Sequence, residues 1–248
     1  MLTLSICALA SLLLPSQLRV VVNIPAFRLD AFVDDSIVRT FPVAPGMPEF
    51  RTPRGSFAIT SVEWNPWWIP PDSPWARKEK PQPPGPTNPM GRVKLNFRPL
   101  YFLHGTPFAG SIGTAASHGC VRLKNEHAID LARLVHKFGT PALTELQVDT
   151  LAVDSVTTRL IELTEPIPLE VRYDLVEIRA GRVSVYRDVY GLGKRAIRDE
   201  VISALLGRGY ETEFIDVTRV DALVKRIPQA GRSILLDSLL TQPRAAVP

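Results

Sequence analysis

A run of small residues near the middle of the chain limits the folds that are open to this sequence. Residues 104–125 read HGTPFAGSIGTAASHGCVRLKN, with His104 at the start and His118 and Cys120 near the end. Glycine, alanine, serine and threonine fill most of the positions between the two histidines. Such small side chains add little to a core but let the backbone approach other groups closely. The run is therefore expected to be a loop whose position is set by better-packed neighbours.

The segments before this run show the alternating hydrophobicity of β-strands. Strands are predicted over residues 19–23, 28–33, 37–43, 57–62, 92–97 and 101–103. The last of them places His104 at its end, where the strand stops and the glycine-rich loop begins.

A helix is predicted over residues 126–138 because its apolar residues recur at helical spacing. Asn125 is a suitable N-cap, and Gly139 is typical of the position at which a helix ends. His127 and His136 lie on this helix and are interpreted as surface or partly buried helix residues rather than ligands.

The remainder of the chain is predicted to contain both strands and helices. Strands are predicted over residues 140–143, 147–153, 157–163, 169–178, 182–189 and 212–217, and helices over residues 194–207 and 219–227. The dipeptide Ala180-Gly181 is expected to turn a hairpin between two of these strands. No residue pattern beyond residue 164 indicates chemistry.

Residues 64–91 differ in composition, with nine prolines and all four tryptophans of the chain. Proline removes a backbone donor and fixes φ, so neither a helix nor an inner strand is expected here. Free linkers rarely carry tryptophan, and the segment is predicted to be an ordered loop. Most of its indole rings are expected to pack on the domain, and at least one to border a substrate channel.

Charge and cysteine content narrow the function classes. The net charge is +4, and the basic residues are scattered, so no nucleic-acid partner is predicted, although affinity for an anionic polymer is permitted. Cys7 and Cys120 are the two cysteines, and Cys7 lies in a targeting segment. Cys120 is therefore predicted to be a reactive single thiol rather than an inert buried one.

The chain begins with an apolar run over residues 1–14. Its length suits the core of a signal peptide and is short for a membrane span, although no Lys or Arg precedes it. Residues 1–17 are assigned as a signal peptide or N-terminal membrane anchor, with a truncated start or a buried first strand as alternatives. The protein is accordingly expected to be exported to the periplasm or cell envelope.

The motif resembles the active site of the YkuD-type L,D-transpeptidases, which are cell-wall enzymes with a cysteine nucleophile. Their pattern is a histidine, a spacer, Ser/Thr-His-Gly-Cys, a hydrophobic residue, usually Arg, and a nearby Asn. The matching residues here are His104, Ser117, His118, Gly119, Cys120, Val121, Arg122 and Asn125. The segments Thr52-Pro53-Arg54-Gly55 and Asn88-Pro89-Met90-Gly91 also resemble family turns.

The resemblance implies a mainly β (α+β) fold, a YkuD-like β-sandwich or open barrel with a short helix after the catalytic cysteine. A small α/β C-terminal appendage is expected in addition. The chain is accordingly divided into a catalytic domain over residues 18–164, an accessory region over residues 165–240 and a flexible tail over residues 241–248.

The resemblance also implies that Cys120 attacks an acyl carbon and that His104 takes its proton, since the thiolate is the nucleophilic form of cysteine. A third group should orient the imidazole. No Asp or Glu lies between residues 104 and 125. In the family a backbone carbonyl or a hydroxyl just after the histidine takes this role. The resemblance therefore implies the backbone carbonyl of Gly105, and no carboxylate triad is expected.

The remaining motif residues are assigned supporting roles. The backbone N–H groups of His118, Gly119 and Cys120 are predicted to hold the oxyanion, with Gly119 permitting the turn. His118 either acts as a second acid or base or shapes the loop, and shaping is favoured. Ser117 is predicted to position the loop or contact the substrate. Arg122 either binds a peptide carboxylate or forms a structural ion pair, and both interpretations stay open.

The implied reaction passes through a thioester on the cysteine, formed from a peptidoglycan stem peptide. The acceptor is a second stem peptide or an envelope protein; water as acceptor would make the enzyme an L,D-carboxypeptidase. A non-catalytic cell-wall-binding module is the alternative from another class, and the chain order of histidine and cysteine argues against a papain-like protease. Carbapenem-type inhibitors are expected to react with the thiol. No cofactor is expected, and the spacing of the motif does not fit a zinc site.

Overall fold

The computed structural model describes residues 16–241 of the 248-residue chain. The strands are β1 (Leu18–Asn23), β2 (Arg28–Val33), β3 (Ser36–Pro42), β4 (Gly55–Trp64), β5 (Val93–Arg98), β6 (Tyr101–Thr106), β7 (Val121–Lys124), β8 (Arg159–Arg172), β9 (Val176–Arg179), β10 (Arg182–Val185) and β11 (Arg232–Leu235). The helices are α1 (Asn125–Gly139), α2 (Glu145–Val153), α3 (Ile197–Leu206) and α4 (Val217–Val224). Cys7, almost all of the predicted leader and the predicted tail beyond residue 241 lie outside the described residues.

Eight strands form one sheet in the order β3-β2-β1-β8-β4-β5-β6-β7. Neighbouring strands are antiparallel except for the parallel pairs β1–β8 and β6–β7. The two outer strands meet, because Ala44, just beyond β3, exchanges two backbone hydrogen bonds of 2.9 Å with Arg122 of β7. The sheet is therefore nearly closed, and its seam lies beside Cys120.

The main hydrophobic core fills the space between the inner face of this sheet and α1. The helix contributes four fully buried residues at helical spacing, namely Ala128, Leu131, Ala132 and Val135. Trp64, at the end of β4, is fully buried, and its Nε1 donates to Nε2 of His136 at 3.0 Å. His136 is thus deeply buried, which exceeds the partial burial predicted for it, and it ties the helix to the sheet.

Two predicted strands after α1 are wrong. Residues 140–143 form a turn, and residues 147–153 belong to the helix α2. A capping box starts this helix: Gln147 N–H donates to Thr144 Oγ1 at 3.3 Å, and Thr144 N–H donates to Gln147 Oε1 at 2.8 Å. This reciprocal cap favours a helix that begins at Glu145.

The C-terminal part of the chain has its own small core beneath a three-stranded sheet ordered β11-β10-β9. The predicted hairpin is confirmed, with Ala180 and Gly181 at φ of 47° and 68° in its turn. Helix α3 packs on this sheet, and α4 packs against α3. The strand predicted over residues 212–217 is wrong, because a single 3₁₀ turn stands there and only Ile215 forms a bridge, to Leu240.

The predicted fold class is confirmed: the chain is mainly β, with a helix soon after Cys120 and a small α/β part at the C-terminal end. The boundary predicted at residue 164 falls inside β8, however. This strand runs unbroken between β1 and β4 of the large sheet, and both of its halves contribute to the main core. Tyr173, Val189 and Tyr190, which follow β8 in the chain, still contribute to the main core, so the two cores interleave along the sequence.

The membrane anchor predicted for the N-terminal segment requires correction. Within residues 16–241, no helix combines the length and apolar character needed to cross a membrane. The apolar run to which the prediction referred lies outside the described residues.

Candidate active site

The register of β6 against β7 brings the motif side chains to one cleft. Leu103 lies opposite Val121, and His104 lies opposite Arg122. Since side chains alternate between the two faces of a sheet, His104 and Arg122 share the face opposite to Leu103. Together with Cys120 they line a cleft of about 850 Å³. His104 is the fourth residue of β6 rather than its end, because the strand continues to Thr106.

The turn that carries Cys120 depends on a glycine and a buried hydroxyl. Gly119 has a φ of 112°, and a Cβ at this position would lie 2.9 Å from Cε1 of Tyr101. Ser117 is buried; its Oγ accepts from Gly119 N–H at 3.0 Å and donates to the carbonyl of Cys120. Ser117 therefore braces the turn from inside, which supports its predicted role in positioning the loop.

The hydrogen bond to Ser117 Oγ removes one of the three predicted oxyanion donors. Gly119 N–H was predicted to point at the oxyanion, but in the structure it is bonded to Ser117 Oγ. The amides of His118 and Cys120 are the remaining donors of the predicted set. Two backbone donors on one turn are sufficient for a hole of the usual kind.

His104 is buried and held by its neighbour. Its Nδ1 lies 2.6 Å from the carbonyl of Gly105, so Nδ1–H donates to this oxygen, and a backbone hydrogen bond with Met90 also raises the pKa of the ring. The Gly105 carbonyl is the contact that the family resemblance implies for orienting the imidazole. Burial, and next the positive charge of Arg122, lower the pKa of His104 to about 4, against the opposing effect of the Gly105 carbonyl. The imidazole is accordingly neutral at neutral pH.

Cys120 is a free thiol at the cleft wall. Burial raises its pKa to about 11, whereas a backbone hydrogen bond from Phe102 and the charge of Arg122 act in the opposite direction. Its Sγ donates to the carbonyl of Leu100 at 3.6 Å. The thiol and the imidazole, which both line the cleft, are thus each neutral at rest and do not form an ion pair.

Two cations stand beside this pair. Lys94 on β5 lies opposite His104 and forms an ion pair with Glu63. Arg122 has no carboxylate within ion-pair distance anywhere in residues 16–241. Of the two interpretations of Arg122, the structural ion pair is therefore not found, and the guanidinium is available to a ligand carboxylate.

His118 packs between two aromatic rings at the mouth of the cleft. Its ring stacks on Trp75 at a centroid distance of 3.9 Å, and Phe50 lies at 4.7 Å on a tilt. Burial, and then Arg122, lower its pKa. A ring fixed between two aromatics is suited to shaping the cleft, which supports the interpretation favoured for His118.

The proline-rich segment forms one wall of the cleft, as an ordered loop. Asn88 is buried inside it, where its Nδ2 donates to the carbonyls of Pro66, Gln82 and Pro83, and its Oδ1 accepts from Met90 N–H. The wall includes Trp67, Trp68 and Trp75. At least one tryptophan was expected at the channel, and the structure places three there.

Asn125 was predicted to cap α1, and this is wrong. It is the first residue of the helix, and the capping position belongs to Lys124. Its Oδ1 instead accepts from Arg92 N–H at 3.0 Å, and a Cβ on Gly105 would lie 2.3 Å from this oxygen. Asn125 thus joins the end of the proline-rich loop to the strand that carries His104.

Several cleft residues were not predicted, among them Lys94, Phe50 and Tyr101. Lys94 is one of several strand lysines and arginines, and only the β5–β6 register shows that it faces His104. Within residues 16–241, no cluster of His, Cys, Asp or Glu is arranged to hold a metal ion. The groups that line the cleft and are available for chemistry include the thiol of Cys120, the imidazole of His104 and the cations Lys94 and Arg122.

Residues 17–153 match the model of the YkuD family, described as the L,D-transpeptidase catalytic domain. This segment is more than half of the chain and contains the whole motif. The chain belongs to this family. The predicted family is therefore confirmed, and the relatives that match are named as L,D-transpeptidases, which are transferases.

Named relatives agree over the same region. "Probable L,D-transpeptidase ErfK/SrfK" of Escherichia coli (strain K12) is 36% identical in an alignment 130 positions long, which covers 46% of this chain and 41% of that protein. "Probable L,D-transpeptidase YbiS" of the same strain is 40% identical in an alignment 89 positions long, which covers 34% of this chain and 28% of that protein. The chain thus spans less than half of these two relatives. The solved L,D-transpeptidase from Mycobacterium smegmatis is 20% identical, with a TM-score of 0.41, over 63% of this chain and 59% of that one.

Proposed function

We propose that the chain is a cysteine-dependent L,D-transpeptidase that acts on the stem peptides of peptidoglycan. The observation that carries the proposal is the convergence of Cys120, His104 and an unpaired Arg122 on one cleft face. Family membership supplies the reaction class, and the cleft supplies groups for each step. The cleft volume of about 850 Å³ fits a peptide of several residues.

In the first half-reaction the stem peptide lies in the cleft with its terminal carboxylate near Arg122. The sulfur of Cys120 attacks the carbonyl carbon between the L-centre and the D-centre, and the imidazole of His104 takes the thiol proton. Because both groups are neutral at rest, this transfer accompanies the attack rather than preceding it. The oxyanion is held by the amides of His118 and Cys120.

Collapse of this intermediate breaks the carbon–nitrogen bond. The terminal D-residue leaves as an amine that takes the proton from His104, and the thioester remains on Cys120. An acceptor amine then attacks the thioester and gives its proton to His104, and the thiol is regenerated. The product is a new amide, so atoms and charges balance without a cofactor.

The acceptor is left to experiment, and three are considered. An amine of a second stem peptide gives a cross-link, and an amine of an envelope protein attaches that protein to the wall. Water gives a shortened peptide and makes the enzyme an L,D-carboxypeptidase. A non-catalytic binding module would leave the thiol idle, which the bracing of the Cys120 turn by Ser117 argues against.

The test is mass spectrometry of purified tetrapeptide muropeptides incubated with the full chain. We expect loss of the terminal D-residue and a dimer or a hydrolysed product, together with a transient adduct on Cys120. Cys120→Ala should abolish all of these while leaving the unfolding midpoint in urea close to that of the wild type. Turnover by Cys120→Ala would contradict the nucleophile assignment, and an inert wild type would favour the binding module.

Arg122→Gln is the matched test of substrate recognition. It should raise KM for a tetrapeptide with a free terminal carboxylate by about tenfold or more, since a charge-assisted hydrogen bond is lost. The same variant should treat an amidated tetrapeptide much as the wild type does. An equal effect on both peptides would assign Arg122 to a role other than carboxylate binding.

A further inference from the structure

We infer that Tyr190 positions the turn that carries Cys120, so that the C-terminal part of the chain belongs to the working enzyme. The inference rests on the proposed role of Cys120. The family match ends at residue 153, and Tyr190 lies well beyond it. Tyr190 touches no substrate-facing atom; it acts through the backbone of a neighbouring loop.

Tyr190 leaves its own sequence neighbourhood and enters the main core, where it is 4% exposed. Its hydroxyl donates to the carbonyl of Gly46 at 2.7 Å and accepts from Thr52 N–H at 3.3 Å. Thr52 Oγ1 in turn accepts from Gly46 N–H at 2.8 Å. One phenol thus joins the two ends of the loop over residues 46–52.

This loop lies directly against the catalytic turn. Met47 N–H donates to the carbonyl of Ser117 at 2.9 Å, and Ser117 N–H donates to the carbonyl of Pro45 at 3.1 Å. A Cβ on Gly46 would lie 3.1 Å from Cα of Gly119. With contacts this close, the loop cannot move without moving the turn that Ser117 braces.

Tyr190 is itself held rigidly on its other side. Its backbone N–H donates to the hydroxyl of Tyr173, which donates to Asp188 at 2.6 Å. Asp188 also accepts from the amides of Leu192 and Gly193, both at 2.9 Å. The phenol of Tyr190 therefore forms a rigid link between the turn held by Asp188 and the loop over residues 46–52.

Tyr186 is an example of a residue that stabilises only the contact between the two parts of the chain. The hydroxyl of Tyr186 donates to Glu177 at 2.8 Å and accepts from Arg28 at 3.0 Å. It also joins the C-terminal part to the large sheet, but it does so at β2 and away from the cleft. Tyr186→Phe is therefore the matched control for Tyr190→Phe, since each variant loses one phenolic hydroxyl and keeps its ring.

Both variants are made in the full chain and compared in three measurements. These are the rate of acylation by imipenem, the pH dependence of alkylation by iodoacetamide, and the urea midpoint. We expect Tyr190→Phe to slow acylation about tenfold or more, since small displacements of a reacting group have large effects on rate. Its alkylation profile should also shift along the pH axis. Tyr186→Phe should stay within about twofold of the wild type in both rates.

Unchanged rates in Tyr190→Phe would overturn the inference. Equal slowing in both variants would also overturn it, because the effect would then follow stability in general. Failure of imipenem to acylate the wild type would contradict the proposed function. The alkylation profiles would still test whether Tyr190 positions the turn. An alkylation profile of Tyr190→Phe that coincides with the wild type would then reject the role of Tyr190.

Discussion

The thiol of Cys120 should be less reactive at rest than an ordinary cysteine. Its pKa is raised to about 11 from an ordinary value of 9.0, so its thiolate fraction at pH 8 is about a hundredfold smaller. A more basic thiolate is intrinsically more nucleophilic, and this raises the alkylation rate again by about a factor of ten. We therefore expect iodoacetamide to alkylate native Cys120 about tenfold more slowly than the same residue in urea-unfolded protein.

The assay is the alkylation rate from pH 5 to pH 9.5, followed by mass spectrometry. With a neutral resting pair, the rate should rise about tenfold per pH unit over the whole range, because the thiolate fraction does so. A preformed ion pair with His104 would instead give a rate that is flat above about pH 5. Such a plateau, abolished in His104→Gln, would refute the neutral pair and the general-base order of events.

Three further predictions concern the supports of the site. Gly119→Ala places a Cβ at a φ of 112° and 2.9 Å from Tyr101, so we expect a loss of about 1–3 kcal/mol in unfolding free energy and markedly slower acylation. Asn125→Ala leaves Arg92 N–H without its acceptor and should cost about 1 kcal/mol in urea unfolding. The pKa of buried His136 is lowered to about 4 by desolvation, so it should contribute up to about 3 kcal/mol of stability that is lost as pH falls from 6.5 to 4.

The sign for His136 follows from proton binding. The unfolded chain binds a proton near pH 6.5 and the folded chain does so only near pH 4, so stability is highest above 6.5. His136→Gln should flatten this part of the curve relative to the wild type, and parallel curves would contradict the assignment.

For Gly119→Ala, unaltered acylation would show that the turn tolerates a side chain. Gly181→Ala, at a positive φ but with no heavy atom near its Cβ, separates backbone strain from the clash. For Asn125→Ala, an unchanged midpoint would contradict the joining role.

The strands of the large sheet were predictable because each has a local signal. A run of β-branched residues predicted β1 and alternating hydrophobicity predicted β2, each almost to the residue, and α1 followed from its apolar spacing. The error at α2 arose because the capping box that starts this helix was not recognised in the sequence. The length of β8 was missed since Pro166 and Pro168 suggested a break, whereas its partner β4 accommodates them with a register shift.

The site was predictable to the extent that its residues are adjacent in sequence. Resemblance to the family motif identified His104 and Cys120, and the same resemblance implied the contact with the Gly105 carbonyl. The contribution of Lys94 depends on strand register, and that of Tyr190 on the packing of a distant segment. Neither is encoded in a local pattern, because register and long-range packing are settled only by the complete fold.

The seam between Ala44 and Arg122 has a consequence for when activity arises during folding. It joins the two outer strands of the sheet, so it can form only after the strands between them have been assembled. The turn that carries Cys120 is fastened on the same seam. A chain whose sheet is still open therefore lacks the fixed position of the Cys120 turn, and the geometry of the cleft is complete only when the sheet closes.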